Sequence, residues 1–114
     1  MLTLKSDAVL LDQHASDWRD ALNQAGQALM EGGLAREGYR DALLEREQQA
    51  STWLGNGIVI PHGTQKSREH VLATGVRLLQ FPQGVEWHDG NQVHLIITIA
   101  AQSDEHLDIL RPVS

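Results

Sequence analysis

Apolar residues change their spacing several times along the chain, and each change marks a predicted element. Trp18, Ala21, Leu22, Ala25 and Leu29 recur at helical intervals behind Ser16 and Asp17, a pair suited to opening a helix. Gly32-Gly33 should stop it. A second helix is expected from near Glu37, with Tyr39, Ala42 and Leu43 on one stripe. Residues 51–54 lead into Ile58-Val59-Ile60, which reads as a short buried strand. Val76, Leu78 and Gln80 alternate with Arg77, Leu79 and Phe81, so another strand is predicted there, with Pro82-Gln83-Gly84 breaking it. Asp89-Gly90 signals a turn. Residues 92–101, QVHLIITIAA, are nearly continuous in apolar side chains, as in a strand covered on both faces. Ser103-Asp104 should cap a last helix over residues 105–111, ended by Pro112. This order predicts a single α/β domain, a mixed central β-sheet flanked by α-helices. Repeats, low-complexity segments and linkers are absent from the pattern.

Composition narrows the classes of function. A chain of 114 residues is long enough for one core and should bury roughly 65% of its extended surface. With no cysteine there is no disulfide frame, thiolate nucleophile or cysteine zinc site. The formal net charge of −6 argues against nucleic acid, whose binders carry a basic stripe. Five aromatics (Trp18, Tyr39, Trp53, Phe81, Trp87) offer little for base stacking. Leu95-Ile96-Ile97, extended past Thr98, falls far short of the roughly 20 residues of a membrane helix. Asp7 comes too early for a signal peptide, so the expected home is the cytoplasm, with no direct membrane insertion.

The stretch GNGIVIPHGT (residues 55–64) carries the chemistry. Pro61 has no N–H, ends the hydrogen-bonded ladder and keeps Ile60 extended. His62 is thereby delivered off the end of a buried strand, at the edge where open α/β sheets bind ligands. Gly63 lacks a side chain, so a ligand could approach the N–H groups of Gly63 and Thr64. A neutral imidazole is a nucleophile near pH 7 and can carry a covalent intermediate. The plain alternative is a strand-end histidine with ordinary hydrogen bonds.

Two further residues bear on that choice. Arg46 falls at i+7 from Tyr39, on the stripe otherwise facing the core. It is either a guanidinium completing the last helical turn or a preorganised fork for a phosphoryl group, which lysine could not match. His106 would sit in the first turn of the last helix, beside its electropositive end. There a neutral ring could donate to an anion, or could simply be solvated. His14 and His70 read as solvated, His88 as part of a turn, and His94 as a partly buried strand residue. With no HxxxH or HExxH spacing, neither a metal nor a diffusible cofactor is implied. Ser51, Ser67 and Ser103 lack the setting of a nucleophile elbow.

Three tracts together resemble a known family: REQQASTWLGNGIVIPHGT (residues 46–64), VLATGVRLLQFPQGVEWHDG (71–90) and IITIAAQSDEHLDILR (96–111). They look like the EIIA domains of the fructose/mannitol class of the bacterial phosphoenolpyruvate-dependent sugar phosphotransferase system. FPQGVEWHDG and AAQSDEHL lean towards the fructose branch, in which the domain opens a fused phosphoryl-transfer protein. The resemblance implies that His62 accepts a phosphoryl group from HPr or a fused HPr-like domain and passes it to a cysteine of an EIIB domain. It implies that Arg46 lies over the phosphohistidine and that His106 is the second active-site histidine. The same likeness admits a regulatory module signalling to a partner protein, or an inactive fragment that keeps the fold. Family members usually continue past the helix of the second histidine. Residues 1–114 are therefore expected to form a C-terminally shortened domain, with an incompletely covered sheet through which copies could self-associate.

Overall fold

The computed structural model describes residues 6–102. The expected last helix, its Ser103-Asp104 cap and His106 lie outside the described residues.

Helix α1, Trp18–Glu31, starts where Asp17 adopts an extended backbone and its carboxylate accepts the Asp20 N–H at 2.8 Å. Asp20 returns the bond, taking the Ser16 N–H at 2.9 Å, so two amides at the helix mouth are satisfied reciprocally. Gly32 and Gly33 end it as predicted. Gly33 sits at φ +72, and the Leu34 N–H turns back to the Leu29 carbonyl at 2.9 Å. Helix α2, Gly38–Gln49, lies against α1. Its buried row is Tyr39, Ala42, Leu43 and Glu47. Arg46 instead lies at the rim of the stripe, partly exposed, and a carboxylate takes the inward place expected for the guanidinium.

Among the described residues, five strands form one mixed sheet: β1 (Val9–Leu10), β2 (Trp53–Gly55), β3 (Ile58–Val59), β4 (Gly75–Glu86) and β5 (Gln92–Ala100), in spatial order β1-β4-β5-β3-β2. β3 runs parallel to β5 and antiparallel to β2, while β4 and β5 form the long antiparallel centre. The expected break at Pro82-Gln83-Gly84 does not end the strand. β4 passes through it, because between the pairs Gln80↔Leu95 and Val85↔Val93 the ladder is bulged. A proline needs no N–H partner there, and Gly84 at φ +80 makes the bend.

α1 and α2 cover one face of the sheet. Leu22, Leu29, Tyr39 and Leu43 pack with Val59, Leu79, Phe81, Val93 and Ile96 in the main core. The in-register pairs Ile58↔Leu95 and Leu78↔Ile97 place these four residues off that core, and each remains partly exposed. The turn between β2 and β3 is Asn56-Gly57, at φ 55 and 79. Two successive positive φ values are what a two-residue hairpin requires, and Asn-Gly is the pair that adopts them most cheaply. That tight hairpin fixes how far β3 can run before Pro61.

Candidate functional site

Ile60-Pro61-His62-Gly63 is fastened on three sides before any ligand is considered. On one side the Ile60 N–H donates to the Thr52 carbonyl at 3.1 Å. On the other, the buried Pro61 carbonyl accepts both the Ile99 N–H at 2.9 Å and the Thr98 hydroxyl at 3.1 Å. His62 then makes a parallel bridge with Ile99. The imidazole therefore leaves the sheet at the carboxyl edge of β3 and β5, where sequence reasoning put it.

Tyr39 supplies the third fastening. Its buried hydroxyl donates to the Ile99 carbonyl at 2.9 Å and accepts the Gly63 N–H at 3.0 Å, tying α2 to the loop. Burial pushes the phenol's pKa above its usual value, against lowering contributions that include its bond with Gly63, so it stays a neutral donor. The Gly63 N–H, expected to face a ligand oxygen, is given to Tyr39 here, although Gly63 itself lines the cavity described below. A Cβ at Gly63 would stand 2.5 Å from Tyr39 Cε1 and press on the Ser67 hydroxyl, so a closely packed ring excludes a side chain. The Ser67 hydroxyl in turn donates to the Thr64 carbonyl at 2.6 Å, closing the loop that follows.

The imidazole is oriented by its own backbone. His62 Nδ1 lies 3.0 Å from the Ile60 carbonyl oxygen. A carbonyl only accepts, so Nδ1 carries the proton in this bond and the lone pair of the neutral ring resides on Nε2.

Arg46 and His62 line the same open cavity, of about 450 Å³, with Thr64, Lys66 and Arg68 among its other walls. Glu45 is the one carboxylate among the described residues lining it. Among the described residues, three cations and one anion line this hollow, in a chain of net charge −6. Arg46 meets the first reading given to it, a guanidinium completing the last helical turn, and it also lines the cavity. Its Nη1 donates to the Ala50 carbonyl at 2.6 Å, completing the end of α2, while the side chain still reaches the cavity. Lys66 and Arg68 belong to the 3-10 segment Gln65–His70 after the loop, and sequence reasoning passed over them. Their nearness to His62 in the chain was the available signal.

Glu47, next to Arg46, was also passed over. It is only 3% exposed, yet its carboxylate accepts the Thr52 N–H, the Thr52 hydroxyl at 2.6 Å and the Trp87 indole N–H at 2.9 Å. His88 Nε2 lies 3.1 Å away, so His88 does more than occupy a turn. Burial alone would raise the Glu47 pKa, but the bonds from Thr52, Trp87 and Ser51 outweigh it and hold the group below its ordinary value of 4.5. Among the described residues no cluster of three or more metal-binding side chains occurs, and no helix is long and apolar enough to cross a membrane.

Comparison with known proteins identifies the family and the fold. Residues 2–114 match the family model described as the phosphoenolpyruvate-dependent sugar phosphotransferase system, EIIA 2. The chain belongs to that family. It is therefore a phosphotransferase-system component. It is 49% identical over its whole length to a multiphosphoryl transfer protein of Vibrio cholerae, of which it spans 28%. It is 39% identical, again over its whole length, to the mannitol-specific phosphotransferase enzyme IIA component of Bacillus subtilis, covering 80% of that protein. The IIA mannitol crystal structure from Escherichia coli superposes with a TM-score of 0.89 at 34% identity, over 96% of this chain and 79% of that one. The same type of domain in complex with phosphorylated enzyme IIBMtl from Escherichia coli gives a TM-score of 0.88 at 34% identity, over 95% and 76%.

Two outcomes are expected from this site. Tyr39→Phe removes one buried donor and orphans the Gly63 N–H, and should cost about 1–3 kcal/mol of stability by urea unfolding. For Glu47, ionisation favours the fold. Its contribution is complete above the unfolded carboxyl value and is lost as pH falls through the lower folded one. The stability advantage of the native chain over Glu47→Gln should hold at neutral pH and shrink below about pH 4, followed by thermal melts across pH.

Proposed function

We propose that the chain is a cytoplasmic phosphoryl-transfer domain that accepts a phosphoryl group on His62 from phosphohistidine on HPr, or on a fused HPr-like domain. It then passes the group to a cysteine thiolate of an EIIB domain during sugar uptake. The observation that carries this reading is one cavity shared by an imidazole with its lone pair on Nε2 and by the cations Arg46, Lys66 and Arg68.

The chemistry follows from those parts. His62 Nε2 attacks phosphorus in line, the donor's P–N bond breaks and its electron pair returns to the donor imidazole. Charge spreads over three equatorial oxygens, and the surrounding cations stabilise it. A guanidinium presents a planar fork to two of those oxygens. His62 Nδ1–H stays on the Ile60 carbonyl throughout, which disperses the positive charge that develops on the ring. In the second step the thiolate sulfur attacks phosphorus and His62 leaves as a neutral imidazole, needing no proton from solvent. Thr64 borders the cavity and His106 is the proposed second histidine, donating to the phosphoryl group. Glu45 faces the same space and favours a transient occupant over a trapped one.

Higher identity to the multiphosphoryl relative than to the mannitol-specific one, 49% against 39%, supports fructose over mannitol as the sugar served. Overall similarity to sugar-transport relatives also favours uptake over a purely regulatory role.

Incubation with phosphoenolpyruvate, Enzyme I and HPr should add one acid-labile phosphoryl group, read by intact mass. His62→Gln should abolish it and His70→Gln should not. Undiminished labelling of His62→Gln would place the acceptor elsewhere. Arg46→Lys should slow transfer about tenfold or more while the fold persists, because an ammonium cannot replace a bidentate fork. Equal rates would remove the guanidinium from the step.

A further inference from the structure

The buried carboxylate of Glu47 does not line the cavity, yet two short paths of hydrogen bonds lead from it to groups that do. It grips Thr52 through both amide and hydroxyl. The Thr52 carbonyl accepts the Ile60 N–H, and the Ile60 carbonyl accepts His62 Nδ1. Two residues before Thr52, the Ala50 carbonyl accepts the Arg46 guanidinium. The segment 50–52 therefore holds the acceptor for Arg46 and the acceptor for the histidine strand, and Glu47 pins it to the end of α2.

We propose that Glu47 is a positioning residue for phosphoryl transfer, fixing through Thr52 both the Arg46 guanidinium and the orientation and tautomer of His62. This rests on the phosphoryl-transfer reading above.

A carboxylate suits the role in a way an apolar side chain does not. Burying a charge is costly, and well-packed apolar groups often stabilise as well or better. What the carboxylate adds is direction. Both oxygens face fixed donors, with Thr52 on one side and Trp87 and His88 on the other. His88 is itself set edge-on against Trp18, with ring centroids 4.9 Å apart, which backs the clamp on that side. A shift of the 50–52 segment would move the cation and the nucleophile together, and misplacement by about 1 Å can cost on the order of 100-fold in rate.

The test uses the full chain in three variants. Glu47→Gln keeps the shape but puts an NH2 against donors. Thr52→Val keeps the amide and deletes the hydroxyl, and Thr52→Ser restores it. Two readouts separate positioning from mere stability: kcat and KM for transfer from phospho-HPr, and the His62 tautomer by 15N NMR of the unphosphorylated chain. Glu47→Gln and Thr52→Val should lower kcat about tenfold or more, leave KM within about twofold, and mix the His62 tautomers. Thr52→Ser should recover kcat to within about threefold of the native chain. Folded variants with native kcat and a native tautomer would overturn the inference, as would a change confined to KM. If Glu47→Gln does not fold, the two Thr52 variants decide by the same criteria. Should the native chain take up no phosphate, the phosphoryl-transfer reading fails, while the tautomer spectra still decide for or against Glu47.

Discussion

The hydrogen bond from His62 Nδ1 to the Ile60 carbonyl depends on a strand of two residues being held in one register between two neighbours. Ile58↔Leu95 and Val59↔Ile96 set it against β5, and the Asn56-Gly57 turn sets it against β2. A slip of one residue would turn Val59 out of the core and the imidazole away from the cavity. The chain guards against that slip with polar anchors at each step: Thr52 to Ile60, Thr98 and Ile99 to Pro61, Tyr39 to Gly63. Thr98 and Tyr39 are buried polar groups in an otherwise apolar setting. Their partners are the backbone atoms of the histidine loop or of the strand beside it, which explains why apolar residues do not stand there.

Electrostatics at the site is local. The chain is acidic overall, but charges more than about 8 Å away through water are largely screened at physiological salt. Among the described residues, the charged groups lining the cavity are Arg46, Lys66 and Arg68, with Glu45 as counterweight. A family member that must take up and then release a phosphoryl group is better served by a moderate, preorganised positive field than by a tight anion trap.

Much of this was legible in the sequence. Period and capping residues gave α1 almost to its ends, and the proline-terminated apolar run gave β3, the loop and His62. The Asn56-Gly57 hairpin signal stood in plain view inside the quoted stretch but was read only as part of the apolar run. Pro82 misled because a proline breaks a regular ladder, whereas β4 is bulged there. Arg46 shares the cavity as expected, yet helical geometry buries Glu47, at i+4 from Leu43, in the inward position. Nothing in composition reports that Tyr39 would spend its hydroxyl on the Gly63 amide, because that contact joins residues distant in the chain and exists only once the sheet has formed. Lys66 and Arg68 carried no periodic signal, and their role follows from where the 3-10 segment folds back.

The position of phosphorus on the imidazole tests the central geometry most directly. The chain would be phosphorylated by phospho-HPr and the phosphohistidine isomer assigned by 15N and 31P NMR. With Nδ1–H held by Ile60, phosphorus bonded to Nε2 of His62 is expected. Phosphorus on Nδ1 would require that backbone bond to be broken and would contradict the arrangement described.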